Sequence, residues 1–348
     1  METIGVMSGS SLDGLDLACC MFTRQSDGWR FEVRGTRALP FPPVLRKALL
    51  HAADGSAWEL VMAHRDLGRF IGDACAEFRR EFPAELICSH GHTIFHQPGQ
   101  GITTQIGCGA AIAARSGLPT VCDLRSKDVA LGGQGAPLVP IGERALFPEY
   151  SSFLNLGGIS NLAVHKPDKS VGYDIGPCNQ ALNVLAEEAG LAYDADGAMA
   201  RTGSVSPALL ARLEALPFYV QPPPRSLGRE WFETHFRPLI TDASDTLVDR
   251  MRTVVEHLAM RISGELSRSG AGRCLATGGG AHHGLLMERI RALAPAPVEI
   301  PSAELVDFKE AIIFGFLGVL RWREEVNALA SVTGAPRDSI GGAIHLPN

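Results

Sequence analysis

The chain has no apolar run long enough to cross a bilayer. The longest, "AIIFGFLGVL" at residues 311–320, is about half of what a membrane helix needs. Nor is there an excess of positive charge. With 32 Lys and Arg against 38 Asp and Glu, the net charge is −6. That argues against a nucleic-acid partner, yet leaves room for a small anion held by local donors. The start, "METIGVMSGSS", shows no basic segment followed by a long apolar one, so no secretory signal is visible. The eight cysteines form no C-x-x-C pair and no zinc-finger spacing. Most of them, such as Cys88, Cys122 and Cys274, sit in apolar runs as small hydrophobes. No short-period repeat marks a solenoid, and no G-x-x-x-x-G-K-[ST] marks a Walker A loop. These absences leave a reduced, cytoplasmic chain with no membrane and no nucleic acid as partner.

At 348 residues, 45% apolar and 20% charged, the chain has the composition of a globular protein of about two domains. "TIGVM", "LDLACCMF" and "WRFEVRGTRAL" read as three successive strands. A helix is predicted over residues 57–81, with Leu60, Val61, Leu67, Phe70, Ile71 and Ala74 near helical spacing. "ELICSHG" reads as a buried strand, "AAIAARSG" as a short helix capped by Gly117, and "PTVCDL" as another strand. Gly and Pro then crowd into "LGGQGAPLVP", a turn or domain boundary whose "GGQGAP" is also a candidate hinge. After it, "SSFLNLGGISNLAVH" and "VGYDIGP" repeat the opening design of strand, glycine turn, strand, strand. Two helices follow, then "QPPPRS", which cannot be helix interior. A long helix fits residues 246–269, "CLATGGGAHHGLLMERIRAL" reads as strand, turn and helix, and a helix near 307–323 should be buried. The expectation is an α/β fold of two duplicated domains, 1–131 and 132–348, with a ligand cleft between them and the last helix able to pack back on the first.

Three loops are candidates for anion binding. In "VMSGSSLDGLD", Gly9 and Gly14 allow close approach to the backbone, and Ser8, Ser10 and Ser11 add hydroxyls. Asp13 and Asp16 would repel phosphate but can hold Mg²⁺. The same stretch also reads as a plain hairpin turning at Asp13-Gly14. Gly157 and Gly158 in "LNLGGISN" occupy the matching place in the second half, so the two turns could clamp a polyphosphate. Gly278, Gly279 and Gly280 in "TGGGAHHG" precede a helix, where amides and the helix dipole favour anions; they would equally admit a flat base or a ribose.

Asp174 in "GYDIGPCN" ends a predicted strand, a position suited to a general base; its plainer role is to cap the next helix. "SHGHTIFHQP" offers His90, His92 and His96, as metal ligands or, preferably, as polar contacts to a substrate. Arg125 in "DLRSKD" suits a carboxylate or a surface ion pair. Glu310 opens a very apolar helix, either as a favourable first-turn charge or as a buried acceptor of sugar hydroxyls.

Taken in order, "MSGSSLDGLD", "SHGHTIFHQP", "QIGCGAAIA", "DLRSKDVALGGQGAPLVP", "LNLGGISNL", "YDIGPCN", "YDADGAMA", "RSLGRE", "GGGAHH" and "SVTGAP" closely resemble the anhydro-N-acetylmuramic acid kinases, across almost the whole chain. The resemblance implies the two-domain sugar-kinase, actin and heat-shock-70 fold (actin-like, ribonuclease H-like), with ATP and Mg²⁺ in the cleft and a homodimer. It implies a kinase of peptidoglycan recycling and amino-sugar catabolism. The enzyme opens 1,6-anhydro-N-acetylmuramic acid hydrolytically and phosphorylates O6. Gly9, Ser10, Ser11, Leu12, Asp13, Gly14, Leu15 and Asp16 match the family's ATP-binding stretch, with Asp13 as the candidate metal residue. Asp174 matches its catalytic Asp. The alternatives are an ordinary sugar kinase acting on a free hydroxyl and a non-catalytic ATP-binding sensor. The sequence departs from the family pattern at Ser10, His92 and Cys178, where Thr, Gln and Gly are expected. Those changes leave the ATP motifs intact and bear on the sugar.

Overall fold

The apolar stretches at the amino terminus form an antiparallel meander of β1 (Glu2–Met7), β2 (Gly14–Gln25) and β3 (Gly28–Pro40). The computed structural model describes residues 1–348 except 10, 11, 13, 167–169, 224 and 271. The helix Ala57–Glu81 follows the meander, opened by a capping box between Ser56 and Glu59. Its buried face, with Leu67, Ile71, Cys75 and Phe78, packs on Ile4, Val6, Leu15 and Leu17. β4 (Leu86–Ser89) then joins β1 in parallel. β5 (His92–Gln97) and β6 (Ile102–Ile106) make a separate hairpin, which the sequence reading did not anticipate. The helix Gly109–Ser116 ends at Gly117 in the left-handed conformation. β7 (Thr120–Cys122) pairs in parallel with β4, and Ala343–His345 adds an antiparallel edge.

The second half repeats this plan. β8 (Ser152–Leu156), β9 (Ile159–His165) and β10 (Ser170–Pro177) form the meander. β11 (Cys274–Thr277) and β12 (Val298–Glu299) continue it in parallel. The order β10-β9-β8-β11-β12 matches β3-β2-β1-β4-β7 strand for strand. The helices match too: Leu247–Ser269 stands where Ala57–Glu81 does, and Gly284–Leu293 where Gly109–Ser116 does. The fold is therefore a pair of duplicated actin-like, ribonuclease H-like α/β units.

The units comprise Met1–Pro148 with Phe308–Asn348, and Glu149–Asp307. This differs from the expected division after residue 131, because residues 132–148 are bound into the first unit. The helix Val139–Leu146 brings Glu143 to Lys309 at 2.9 Å, a buried ion pair, and Phe147 packs edge-on to Phe31. The "GGQGAP" stretch is also fastened there, since buried Asp128 accepts from the Gly135 amide and from the Thr333 hydroxyl, both at 2.7 Å. The helix Ala303–Trp322 carries the longest apolar run, and residues 311–320 are all buried. Gly5 permits that helix to lie against β1, because a Cβ there would stand 1.8 Å from the Ala311 carbonyl oxygen. Among the described residues no helix is long and apolar enough to cross a membrane.

Candidate active site

In open sheets of this kind ligands gather at the carboxyl ends of the parallel strands. In the first unit those ends carry His90, just past β4, and Arg125, just past β7. Arg125 donates from Nε and Nη2 to His90 Nε2 at 3.1 and 2.9 Å, and from Nη1 to the Gly135 carbonyl at 2.7 Å. A guanidinium can only donate, so His90 Nε2 must accept and Nδ1 must carry the proton, which it gives to the Gly91 carbonyl at 3.0 Å. Burial, with Arg125 beside it, pulls the His90 pKa down to about 3, so the ring is neutral. Phe314 packs on this imidazole at 4.6 Å between ring centroids, one helical turn after Glu310. The Glu310 carboxyl reaches solvent, yet surrounding protein atoms push its pKa up, against the opposing pull of Lys309 and Arg125. Arg125 thus links the two, hydrogen-bonded to a neutral His90 and within charge-interaction range of the Glu310 carboxylate.

His92 does not join them as a metal ligand. Its Nδ1 lies 3.2 Å from the buried Ser8 hydroxyl, and burial lowers its pKa. His96 is exposed and meets Thr103 at 3.1 Å. Among the described residues no group of three His, Cys, Asp or Glu is placed to hold a metal.

β1 ends at Met7 and β2 starts at Gly14, with Met7 paired to Asp16, so the two strands are joined antiparallel. Gly14 is already strand, however, and not the second residue of an Asp13-Gly14 turn. Ser10, Ser11 and Asp13 lie outside the described residues. Leu12 adopts φ 57°, a conformation a leucine rarely takes, while its amide donates to the Gly9 carbonyl at 3.3 Å. Such a backbone costs about 1–3 kcal/mol and tends to persist where a loop has a task. Gly14 sits tight on β3, where a Cβ would meet the Leu39 carbonyl oxygen at 2.1 Å. Leu15 and Asp16 continue into β2.

In the second unit, Asp174 lies on β10 at a break in register, where the pairing jumps from Asp174 to Gly176. A bulge of this sort re-aims a side chain. Asp174 does not cap the following helix, Asn179–Glu188, which has no side-chain cap. Instead the Gly157 and Gly158 carbonyls accept from the amides of residues 178–180. Asp174 Oδ2 accepts from the Leu227 amide at 2.8 Å and the Ser226 hydroxyl at 3.3 Å. Its Oδ1 has no hydrogen-bond partner among the described residues. Burial raises the Asp174 pKa, while those two hydrogen bonds and the Arg225 charge pull it back. One oxygen is fixed and the other is left to take a proton.

The third glycine loop departs from expectation. A short 3₁₀ turn, Gly279–His282, separates it from the helix Gly284–Leu293, and His283 Nδ1 caps that helix at the Leu286 amide, 3.2 Å away. Gly278 needs to be glycine: its φ is 86°, and a Cβ would lie 2.5 Å from Asn155 Oδ1. Gly279 and Gly280 line a pocket of about 370 Å³ with Asn179, Asn183, Asp194 and His283. That volume is within the range of small-ligand sites. Sequence reasoning missed Asp194, whose buried carboxylate accepts from the Met199 and Ala200 amides at 2.7 and 3.0 Å and so shapes this wall. The "YDADGAMA" string held the signal, an acidic residue just ahead of a helix start.

The family model described as anhydro-N-acetylmuramic acid kinase matches residues 1–347. A protein of that name from Vibrio cholerae serotype O1 is 38% identical over 372 residues, covering 99% of this chain and 98% of its own. Another, from Pseudomonas putida, is 38% identical over 365 residues and covers 98% of both. A third, from a Sulfurovum species, is 35% identical over 359 residues, covering 99% and 98%. With a family model and relatives that span nearly every residue, the chain belongs to the anhydro-N-acetylmuramic acid kinase family.

Proposed function

We propose that this chain is an ATP-dependent kinase that opens 1,6-anhydro-N-acetylmuramic acid with water and phosphorylates its O6, giving N-acetylmuramic acid 6-phosphate for peptidoglycan recycling. The observation that carries the reading is Asp174, a half-buried carboxylate at a strand bulge with one oxygen fastened and one open. Asp174 Oδ1 takes a proton from water as the water oxygen bonds to C1. The C1–O6 bond breaks, and O6 accepts the γ-phosphoryl group, leaving ADP. The departing oxygen is captured by phosphorus, so one carboxylate suffices where a glycosidase uses two. His90, Arg125 and Glu310 suit the polar sugar: the cation meets its carboxylate, and the acid meets a hydroxyl.

The pocket beside Gly279 and Gly280 fits the nucleoside part of ATP, because a Cβ at Gly279 would have only ordinary contact with the protein and the backbone there is open to a ligand. When bound, Mg²⁺ neutralises phosphate charge. It keeps several waters and needs only one or two carboxylates, so no protein cage is required. Asp13 is the residue proposed for it. A cytoplasmic location and a homodimer go with this reading.

Asp174→Asn tests it. Turnover should fall by about 10²–10⁴-fold, the usual worth of a general base, with ATP affinity retained in calorimetry. In ¹⁸O-water the wild type should place label at C1 of the product. Undiminished turnover in the variant, or product without label, would overturn the reading.

A further inference from the structure

The "RSLGRE" motif contributes no atom to the reaction as written, yet it makes the densest set of contacts to Asp174. Arg225 and Glu265 form an ion pair whose side chains are each 2% exposed. Glu265, on the helix Leu247–Ser269, also accepts from the Tyr173 hydroxyl at 3.1 Å and from Arg268 at 2.6 Å. Arg225 donates from Nη1 to the Gln221 carbonyl at 2.6 Å and from Nε to the Asp174 carbonyl at 3.1 Å. Its guanidinium lies over the Phe218 ring at 5.0 Å. Every nitrogen of the group is engaged.

The backbone of residues 225–227 then lies beside β10 at Asp174. The Asp174 amide donates to the Arg225 carbonyl at 2.9 Å, and the Leu227 amide returns a bond to the Asp174 carboxylate at 2.8 Å. A buried ion pair is a poor way to add stability, since apolar side chains of similar size often do as well. What it does well is hold one geometry. Here that geometry fastens a loop to both ends of one residue.

We infer that the Arg225–Glu265 pair positions Asp174: it pins residues 225–227 against β10, and so fixes which carboxylate oxygen is bonded and which faces water. The inference rests on Asp174 being the base. Arg225 is then a positioning residue, acting through the carboxylate it orients.

Two variants test this, Glu265→Gln and the apolar double replacement Arg225→Met with Glu265→Leu. The second keeps packing and removes the uncompensated charge, so it decides the matter if the first does not fold. In the folded variants, kcat should drop at least tenfold with little change in the KM for ATP. The Asp174 carboxyl resonance, identified by its loss in Asp174→Asn, should titrate at higher pH than in the wild type. In Glu265→Gln, which keeps the Arg225 charge, the sign follows from losing the Leu227 and Ser226 hydrogen bonds, which hold that pKa down. In the double variant the loss of the Arg225 charge acts in the same direction. A folded double variant with wild-type kcat and an unmoved Asp174 titration would overturn the inference. That outcome differs from failure of the base assignment, in which Asp174→Asn itself would remain active.

Discussion

The two units share one strand order and furnish it in opposite ways. At the strand ends of the first unit stand long polar side chains, His90 and Arg125, with Glu310 contributed by the helix Ala303–Trp322. Past β11, the counterpart of β4, the second unit carries the glycines 278–280 instead, with the carboxylates of Asp174, on β10, and of Asp194, ahead of the helix Ala198–Thr202. Side chains with fixed hydrogen bonds discriminate one polar ligand from another. Exposed backbone lets a ligand come close and reads little of it. A duplicated scaffold has thus been fitted at its loops for two tasks, consistent with chemistry residing in loops and the fold supplying only position.

Among the binding residues, breaking the side-chain half should have the larger effect. Arg125→Lys removes a fork of donors to His90 Nε2 and the Gly135 carbonyl that an ammonium cannot replace. Two or three charge-assisted bonds are at stake, so kcat/KM for the anhydro sugar should fall about 100-fold. ATP affinity should stay within about twofold if the units divide their labour. An equal loss for both ligands in calorimetry would end that division.

The backbone half can be sharpened with Gly279→Ala. A Cβ there would stand 3.4 Å from Asn179 Nδ2, ordinary contact, so the fold does not demand glycine at this position. The melting temperature should hold while ATP affinity falls about tenfold, the size of one lost close contact. Gly278→Ala is the control: at φ 86° and 2.5 Å from Asn155 it strains the backbone and should lower stability whether or not nucleotide is present. If Gly279→Ala bound ATP as the wild type does, the pocket would hold something else.

Much of this was legible in the chain. The strand-turn-strand repeats at "TIGVM" and "SSFLNLGG" exposed the duplication, because apolar runs and glycine turns are local signals. The helix 57–81 followed from periodicity and appears as Ala57–Glu81, and the long helix fitted to 246–269 appears as Leu247–Ser269. The domain boundary was misplaced because glycine and proline mark any tight turn, and "GGQGAP" is a turn tied down by Asp128 within the first unit. The partners of Asp174 were hidden for another reason: Leu227 lies 53 residues away and gives only its amide, which no side-chain pattern encodes. His283 as a helix cap was likewise unreadable, since the family of capping residues is dominated by Ser, Thr, Asp and Asn.

The smallest effect concerns protonation, and buried histidines with lowered pKa values occur in both units, His90 in the first and His257 in the second. In the folded state His90 stays neutral to about pH 3, while the unfolded chain takes up its proton near the ordinary 6.5. Below pH 6.5 the unfolded state therefore binds one more proton than the native state, and the stability contributed by neutral His90 declines as pH falls from 6.5 toward 3. Between pH 8 and pH 6 the decline amounts to about 0.8 kcal/mol for this one group. His283, in the second unit, is lowered in the same direction, but Asp194 and Asp196 act against its burial, so its share is smaller. Urea unfolding at the two pH values should show His90→Gln losing less stability on acidification than the wild type. The His90 ring resonance should not titrate down to pH 5. A midpoint near 6.5 would mean that Arg125 does not lie against the imidazole, and this polar pair of the first unit would have to be redrawn.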